Sequence, residues 1–242
     1  MEPDEYARIA AAEDDHWWYR NTRVLMADAL GPWLGQRQTI LDAGCGPGGN
    51  GAWLAEHGDV IGVDLAPEAL DFVRDRHRAL APVRASIGAL PFPEGSFDVV
   101  VGVTVVYSIT DDAGAVRELA RVLRPGGALM LFEPAFASLR RAHDVTVHTV
   151  RRYRRADLAE LVAAAGLQVE RSAYAYSFLA LPALGLAIAD RILPRRAETS
   201  SDVDRRRLDG LFAPLATLER RWLVRHRVPF GTSTLVVGSR PV

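Results

Sequence analysis

Short apolar runs alternate with helix-like stretches from residue 39 onward. Four runs lack the period-two alternation of a half-exposed strand: 39–41, 60–63, 97–106 and 128–132. Such runs are typical of strands that helices cover on both faces. The stretches between them predict helices over residues 50–57, 67–80 and 112–123. This order predicts a doubly wound, parallel α/β sheet.

The pattern changes after residue 132. We expect a helix over 156–165, an alternating strand over 168–176 and a closing strand over 232–238. The residues between the last two strands are too many for a hairpin loop. The sequence therefore predicts N-terminal cap helices (1–35), an α/β domain (36–176 and 229–242) and a helical insertion or lid (177–228). Residues 178–189 lack charge but are too few to span a bilayer.

Composition excludes several classes of protein. The chain has 242 residues, 49% hydrophobic and 24% charged, which is typical of globular domains. A single cysteine, Cys45, excludes an internal disulfide. All 29 basic residues are arginines, which excludes a lysine Schiff base and a P-loop lysine. Without a signal-peptide pattern, the sequence predicts a cytoplasmic protein with no stable membrane insertion.

Charge is unevenly distributed along the chain. Residues 1–120 contain 19 acidic and 9 basic side chains, whereas residues 121–242 contain 11 and 20. The densest basic run, residues 151–155, places four arginines around Tyr153. It fits an anion site on an acceptor, or a solvated segment before the next helix. No nucleic-acid module is recognisable, so we predict no nucleic-acid partner. The sequence does not set the oligomeric state.

A glycine cluster follows the first predicted strand. Residues 42–49 read Asp-Ala-Gly-Cys-Gly-Pro-Gly-Gly, a spacing that fits both G-x-G-x-x-G of dinucleotide-binding folds and D-x-G-x-G-x-G of S-adenosylmethionine loops. NAD brings a pyrophosphate, whereas S-adenosylmethionine is cationic and has no phosphate. No arginine lies between Arg37 and Arg74, but acidic residues do, including Asp42 and Asp64. This charge pattern favours S-adenosylmethionine.

Four segments in order resemble successive motifs of class I S-adenosylmethionine-dependent methyltransferases: 40–48, 60–64, 90–98 and 121–127. The resemblance covers roughly residues 36–135 and implies a seven-stranded Rossmann-like sheet. It also implies a set of cofactor contacts. Asp42 and the loop at Gly44 and Gly46 would hold the methionine end, and Asp64 the ribose hydroxyls. Leu65, Ser86, Ile87 and Val103 complete the predicted cofactor contacts, with Leu65 beside the adenine.

Ser86 departs from the family pattern. Members commonly have an acidic residue at this place, which accepts from the adenine amino group; here Ser86 and the Ile87 backbone would do so. No Asn-Pro-Pro-Tyr or similar motif follows the fourth strand, which argues against methylation of bases or glutamine.

An aromatic cluster precedes the first strand. Residues 16–23 read His-Trp-Trp-Tyr-Arg-Asn-Thr-Arg. In many methyltransferases the helix at this place lies over the cofactor, and a basic residue meets its carboxylate. We therefore expect Trp17 or Tyr19 to cover the site and Arg20 or Arg23 to bind the carboxylate, with a contact by Tyr19 or Arg20. The alternative is that these aromatics simply pack on the sheet.

Three residues are candidates for handling a methyl acceptor. Tyr107 and Glu133 follow predicted strands, where ligands gather in open α/β sheets, and His143 comes shortly after. A base is needed only if the acceptor must lose a proton. His143 and His148 lack further clustered ligands, so we predict no metal.

The resemblance implies methyl transfer from S-adenosylmethionine to oxygen, nitrogen or carbon of a small-molecule acceptor, which we expect to be apolar. Two alternatives stay open. One is a non-catalytic S-adenosylmethionine-binding protein that acts through partners, and the other is an NAD-dependent oxidoreductase.

Overall fold

The computed structural model describes residues 1–35, 37–192, 209–223 and 228–242. At its centre is one mixed sheet of strand order β3-β2-β1-β4-β5-β7-β6, in which β7 runs antiparallel to both of its neighbours, β5 and β6. The strands are β1 (Gln38–Ala43), β2 (Gly58–Asp64), β3 (Leu80–Arg84), β4 (Phe97–Val103), β5 (Leu123–Pro134), β6 (Gln168–Ala175) and β7 (Ser233–Ser239). The predicted seven-stranded, Rossmann-like, doubly wound sheet is confirmed.

Helices cover both faces of this sheet. They are α1 (Pro3–Ala12), α2 (Trp17–Leu30), α3 (Gly49–Leu54), α4 (Pro67–Arg76), α5 (Asp112–Arg121), α6 (His143–Thr146), α7 (Arg155–Ala164), α8 (Ala180–Ile192) and α9 (Asp209–Leu223). Neighbours on β1 point into different cores: Ile40 packs with α2, and Leu41 with α5 and α7. Burial on both faces explains the continuous apolar runs.

Several element boundaries differ from the prediction, and two of the differences have a clear physical reason. The helix predicted over 67–80 ends at Arg76, and β3 begins at Leu80. Its Pro82 cannot donate to a sheet, but β3 is an edge strand, where proline is tolerated. The run predicted to 106 ends at Val103, because Thr104 turns the chain with φ 50°.

The predicted insertion, 177–228, contains α8 and α9; its residues 193–208 and 224–227 lie outside the described residues. Both helices pack against the short turn Ser177–Leu179. Glu219 of α9 accepts hydrogen bonds from the Ser177 and Phe178 amides at 2.8 and 3.3 Å. No helix in the described ranges is long and apolar enough to cross a membrane. The domain boundaries stay a prediction.

Candidate active site

A cavity of about 860 Å³ lies at the carboxyl ends of β1, β2 and β4. This edge of the sheet is where the strand order reverses, the usual ligand position in doubly wound folds. Ten of the predicted site residues line it: Tyr19, Gly44, Gly46, Asp64, Leu65, Ser86, Ile87, Val103, Tyr107 and His143. Asp42, Arg20 and Glu133 do not.

The glycine loop is shaped by left-handed backbone. Gly44 has φ 73° and Gly46 has φ 52°, a region in which a side chain is strained. A Cβ on Gly44 would lie 2.2 Å from Cγ2 of Val105, so only glycine fits beside the loop that follows β4. A Cβ on Gly46 would meet nothing within 4 Å. Gly46 therefore presents bare main chain to the cavity.

Every amide of the loop from Gly44 to Gly49 already has an acceptor within the chain. The Gly44 and Cys45 amides donate to the Val63 carbonyl, Gly48 donates to Cys45, and Pro47 has no N–H. The other two donate to carboxylates: Gly46 to Asp64 Oδ2 at 3.0 Å, and Gly49 to Glu13 Oε2 at 2.9 Å. A pyrophosphate bound at this loop would need these amides as hydrogen-bond donors. The carboxylates of Asp64 and Glu13 already accept from two of them.

Asp64 closes the loop from β2. Its Oδ1 accepts from the Ala66 amide at 3.0 Å, so each oxygen has one backbone donor and free lone pairs. Leu65 beside it is 63% exposed and lines the cavity. Ser86 Oγ accepts from the Gly88 amide at 3.2 Å, and Ile87 is buried. This end of the cavity thus places an acceptor carboxylate next to an apolar surface.

Asp42 lies beneath the loop rather than in the cavity wall. Its carboxyl is 2% exposed, and Oδ2 has no hydrogen-bond partner in the part of the chain that the structure describes. Burial, reinforced by the charges of Asp64 and Glu13, raises the pKa of Asp42 to about 7. The loop is therefore surrounded by three carboxylates with few compensating cations.

Arg23, not Arg20, reaches this acidic cluster. Neither arginine is among the residues that line the cavity, but Arg20 is exposed and turned to solvent, so the expectation for it is corrected. Arg23, one turn further along α2, places Nη2 2.6 Å from where a Cβ on Gly49 would stand. Its Nε and Nη2 are buried with no hydrogen-bond partner among the described residues, and burial lowers its pKa.

Glu13 was missed by the sequence analysis. It is buried at the end of α1, where Oε1 pairs with Arg76 at 2.8 Å while Oε2 caps α3 at Gly49. Burial raises its pKa, against the opposing effect of the Gly49 amide. No motif identifies such a residue, because its partners come from 36 and 63 positions away.

Besides the part at the glycine loop, the cavity has a second part, which Tyr107 and His143 line. The Tyr107 hydroxyl donates to the Val147 carbonyl at 3.3 Å, and burial raises its pKa. Nδ1 of His143 is buried and has no hydrogen-bond partner in the described ranges. His143 thus lines the cavity with an imidazole whose Nδ1 makes no hydrogen bond to the described residues.

Glu133 is not where the sequence analysis expected it. It is fully buried outside the cavity, and its carboxylate accepts from the Val105, Val106 and Tyr107 amides at 3.2, 2.9 and 3.2 Å. Burial raises its pKa to about 8, against these three bonds. The expectation that it meets an acceptor is corrected. It instead fixes the turn after the strained Thr104, and with it Tyr107.

The arginine run has internal partners. Arg151 pairs with Asp112 at 2.7 Å, and Arg152 with Asp144 at 2.7 Å. The guanidinium of Arg155 lies over the Tyr174 ring. Most of the run therefore ties the segment after β5 to the fold. In the described residues, no group of three or more His, Cys, Asp or Glu side chains is placed to hold a metal ion.

Comparison with known proteins adds three findings. Residues 41–131 match a family model described as "Methyltransferase domain". A Mycolicibacterium smegmatis protein named "Probable S-adenosylmethionine-dependent methyltransferase" is 31% identical over 166 residues, 67% of this chain and 63% of its own. A malonyl-[acyl-carrier protein] O-methyltransferase of Pseudescherichia vulneris is 33% identical over 168 residues, 66% of each chain. The chain thus spans less than two thirds of the length of these relatives.

Solved structures agree on the fold. Geranyl diphosphate methyltransferase in complex with S-adenosylmethionine superposes with a TM-score of 0.62 at 19% identity, covering 90% of this chain and 84% of the other. The motifs, the sheet order and these similarities together show that the chain belongs to the class I S-adenosylmethionine-dependent methyltransferase family.

Proposed function

We propose that this chain transfers the methyl group of S-adenosylmethionine to a small, apolar acceptor. The observation that supports this most is the loop from Gly44 to Gly49, whose amides are all engaged, two of them by carboxylates. An acidic loop without free donors suits a cationic cofactor and disfavours the pyrophosphate of NAD. Family membership supports the same choice.

The residues present fit S-adenosylmethionine. Open space at Gly46 leaves room for it, and the carboxylates of Asp42, Asp64 and Glu13 favour its positive charge. The unsatisfied guanidinium atoms of Arg23 suit its carboxylate. Asp64 has lone pairs for the ribose hydroxyls, with Leu65 beside the adenine. Buried polar atoms that lack partners are costly, so a ligand that satisfies them is favoured.

Bound there, S-adenosylmethionine supplies a methyl group on a good leaving group, so the chain has mainly to align the acceptor and exclude water. Tyr107 is held by Glu133 through its amide and by Val147 through its hydroxyl. The Tyr107 side chain would therefore form a fixed part of the wall against which the acceptor packs. Nδ1 of His143 could accept a proton if the acceptor has one to lose.

The lining supports an apolar acceptor. Trp17, Leu179, Leu186 and Phe212 all line the cavity, and Trp17 and Phe212 pack with ring centroids 5.4 Å apart. A volume of about 860 Å³ is near the upper end for ligand sites, which leaves room for an acceptor beside the cofactor. Location in the cytoplasm and the lack of a nucleic-acid partner stay predictions.

The test is a transfer assay with S-adenosylmethionine labelled on its methyl group. Wild-type protein is incubated with aqueous and organic-soluble metabolite extracts, and label is counted in each phase. We expect label in the organic phase, and a loss of about tenfold or more in Asp64→Ala at limiting cofactor. Binding of cofactor with no transfer to any extract would favour the non-catalytic alternative.

A further inference from the structure

Two helices of the insertion have apolar faces that nothing in the described structure covers. On α8, Leu181, Ile188 and Ile192 are exposed, Leu181 by 77%, and Gly185 completes their stripe at helical spacing. On α9, Leu211, Leu215 and Leu218 form a similar stripe, and Leu218 is 66% exposed. Clustered exposed aliphatic residues of this kind mark interaction surfaces.

The opposite faces of the same helices are firmly seated. Ala187 of α8 and Ala216 of α9 are buried. Asp190 accepts a hydrogen bond from the Ala142 amide at 3.3 Å, and Glu219 accepts from Ser177. The orientation of both helices is therefore set by inward contacts, and their apolar stripes face outward.

The exposed charged side chains that the structure describes beside these stripes are all positive. Of the charged side chains that the structure describes on α8 and α9, the exposed ones are Arg191 and Arg221, since both described acids point inward. Aliphatic residues bordered by arginines suit the surface of an anionic bilayer. A symmetric contact between two copies would bring the same arginines together, and none of the acidic side chains described on these helices is exposed to offset them.

We propose that the outer faces of α8 and α9 dock on an anionic lipid bilayer, and that the methyl acceptor is a lipid held in that bilayer. The second part rests on the proposed function. Ala183 and Leu186 of α8 line the cavity while Leu181 and Ile188 face outward. One helix thus separates the docking surface from the acceptor cavity, and a lipid-borne acceptor would pass beside it.

Vesicle co-sedimentation of the full chain tests the docking surface. The vesicles are phosphatidylcholine, with or without about 30% phosphatidylglycerol. We expect binding to the anionic vesicles that weakens at high salt. The pair Leu181→Ser with Ile188→Ser should lower the partition coefficient about tenfold. Val24→Ser, an exposed aliphatic residue on α2, is the matched control and should stay within about twofold.

Charge is tested by a second pair. Arg191→Glu with Arg221→Glu should lower binding to anionic vesicles about tenfold, whereas Arg74→Glu with Arg78→Glu, the same charge change on exposed residues near α4, should not. Equal losses in both pairs, or no binding by the wild type, would overturn the docking surface. Self-association in sedimentation equilibrium that the serine pair abolishes would assign it to a second copy.

The acceptor is tested separately. Thermal unfolding and S-adenosylhomocysteine affinity should be unchanged in the serine pair, which shows that the fold and the cofactor site are intact. Label from S-adenosylmethionine should enter vesicle-incorporated lipid extract, and the serine pair should slow this several-fold. Vesicle binding without S-adenosylhomocysteine binding would contradict the proposed function and leave docking standing. Transfer to aqueous metabolites alone would overturn the lipid acceptor.

Discussion

The cavity has a part at the glycine loop, which we assign to the cofactor, and a part at Tyr107 and His143, which we assign to the acceptor, and the two parts differ in the groups that form them. Around the cofactor part, main chain with left-handed glycines forms the wall, and polar atoms of Asp42, Asn50 and Arg23 are buried without partners among the described residues. Around the acceptor part, most charged groups are already paired, as Arg152 is with Asp144. His143 is an exception, with an open Nδ1.

This difference shows which observation locates a ligand. The densest charge in the sequence, residues 151–155, is largely neutralised by its own neighbours. The glycine loop contains one charged residue in sequence, Asp42, yet it lies among three carboxylates and the Arg23 guanidinium, whose Nε and Nη2 have no partner in the described residues. Buried polar groups without hydrogen-bond partners indicate a ligand site, because they destabilise the fold unless a ligand pairs with them.

The largest expected effect tests whether the backbone shapes the cofactor part. Gly44→Ala adds left-handed strain and a clash with Val105, whereas Gly46→Ala adds only the strain. We expect the free energy of unfolding to fall by about 3 kcal/mol for Gly44→Ala and about 1 kcal/mol for Gly46→Ala. Urea denaturation measures both. Equal losses would show that the contact between Gly44 and Val105 does not constrain the loop.

The sequence predicts the cofactor part better than the acceptor part for a physical reason. Glycines at fixed spacing report a local backbone conformation, so the sequence groups Gly44, Gly46 and Asp64 at one site, and all three line the cavity. Their contacts with a cofactor stay a prediction. Glu13 and Arg23 act through neighbours distant in sequence, and no spacing encodes that. The absence of arginine between 37 and 74 did not mean an arginine-free site, since Arg23 and Arg76 come to it from α2 and α4.

The same limit explains Glu133 and the fold errors. A glutamate at a strand end suggests catalysis, but three backbone amides already bind Glu133. The positions of these three amides depend on the turn at Thr104, which has no sequence signature. Strand β3 was not among the individually predicted strands, and its Pro82 is tolerated because β3 lies at the edge of the sheet, a position that the local sequence does not show.

The next effect compares two arginines on α2. Arg23→Gln should raise the dissociation constant of S-adenosylhomocysteine about tenfold to a hundredfold, because it removes charged hydrogen bonds to the ligand carboxylate. Arg20→Gln is the matched control, three residues away and exposed, and should change it by less than about twofold. Isothermal titration calorimetry decides this. A larger loss in Arg20→Gln would reverse the assignment.

A third effect concerns pH. The pKa of Asp42 is raised to about 7, and the ammonium group that S-adenosylhomocysteine shares with S-adenosylmethionine favours the ionised form of this carboxyl. Affinity should therefore be lost as pH falls through about 7, giving roughly tenfold weaker S-adenosylhomocysteine binding at pH 6 than at pH 8. Asp42→Asn should give a flat profile between these values. A sloping profile in the variant would place the titrating group elsewhere.

The smallest expected effects lie in the acceptor part. Tyr107→Phe and His143→Gln should each lower the turnover number several-fold to about tenfold while leaving S-adenosylhomocysteine affinity unchanged. Steady-state kinetics with calorimetry on the same variants measures both. A loss of cofactor affinity in either variant would mean that the two parts of the cavity are not separable.

The central claim is that the acidic glycine loop selects a cationic cofactor over a dinucleotide. Calorimetric titration of the wild type with S-adenosylmethionine and, separately, with NAD tests it most directly. The engaged amides from Gly44 to Gly49 predict saturable, one-to-one binding of S-adenosylmethionine and no detectable binding of NAD. Binding of NAD without binding of S-adenosylmethionine would contradict the account.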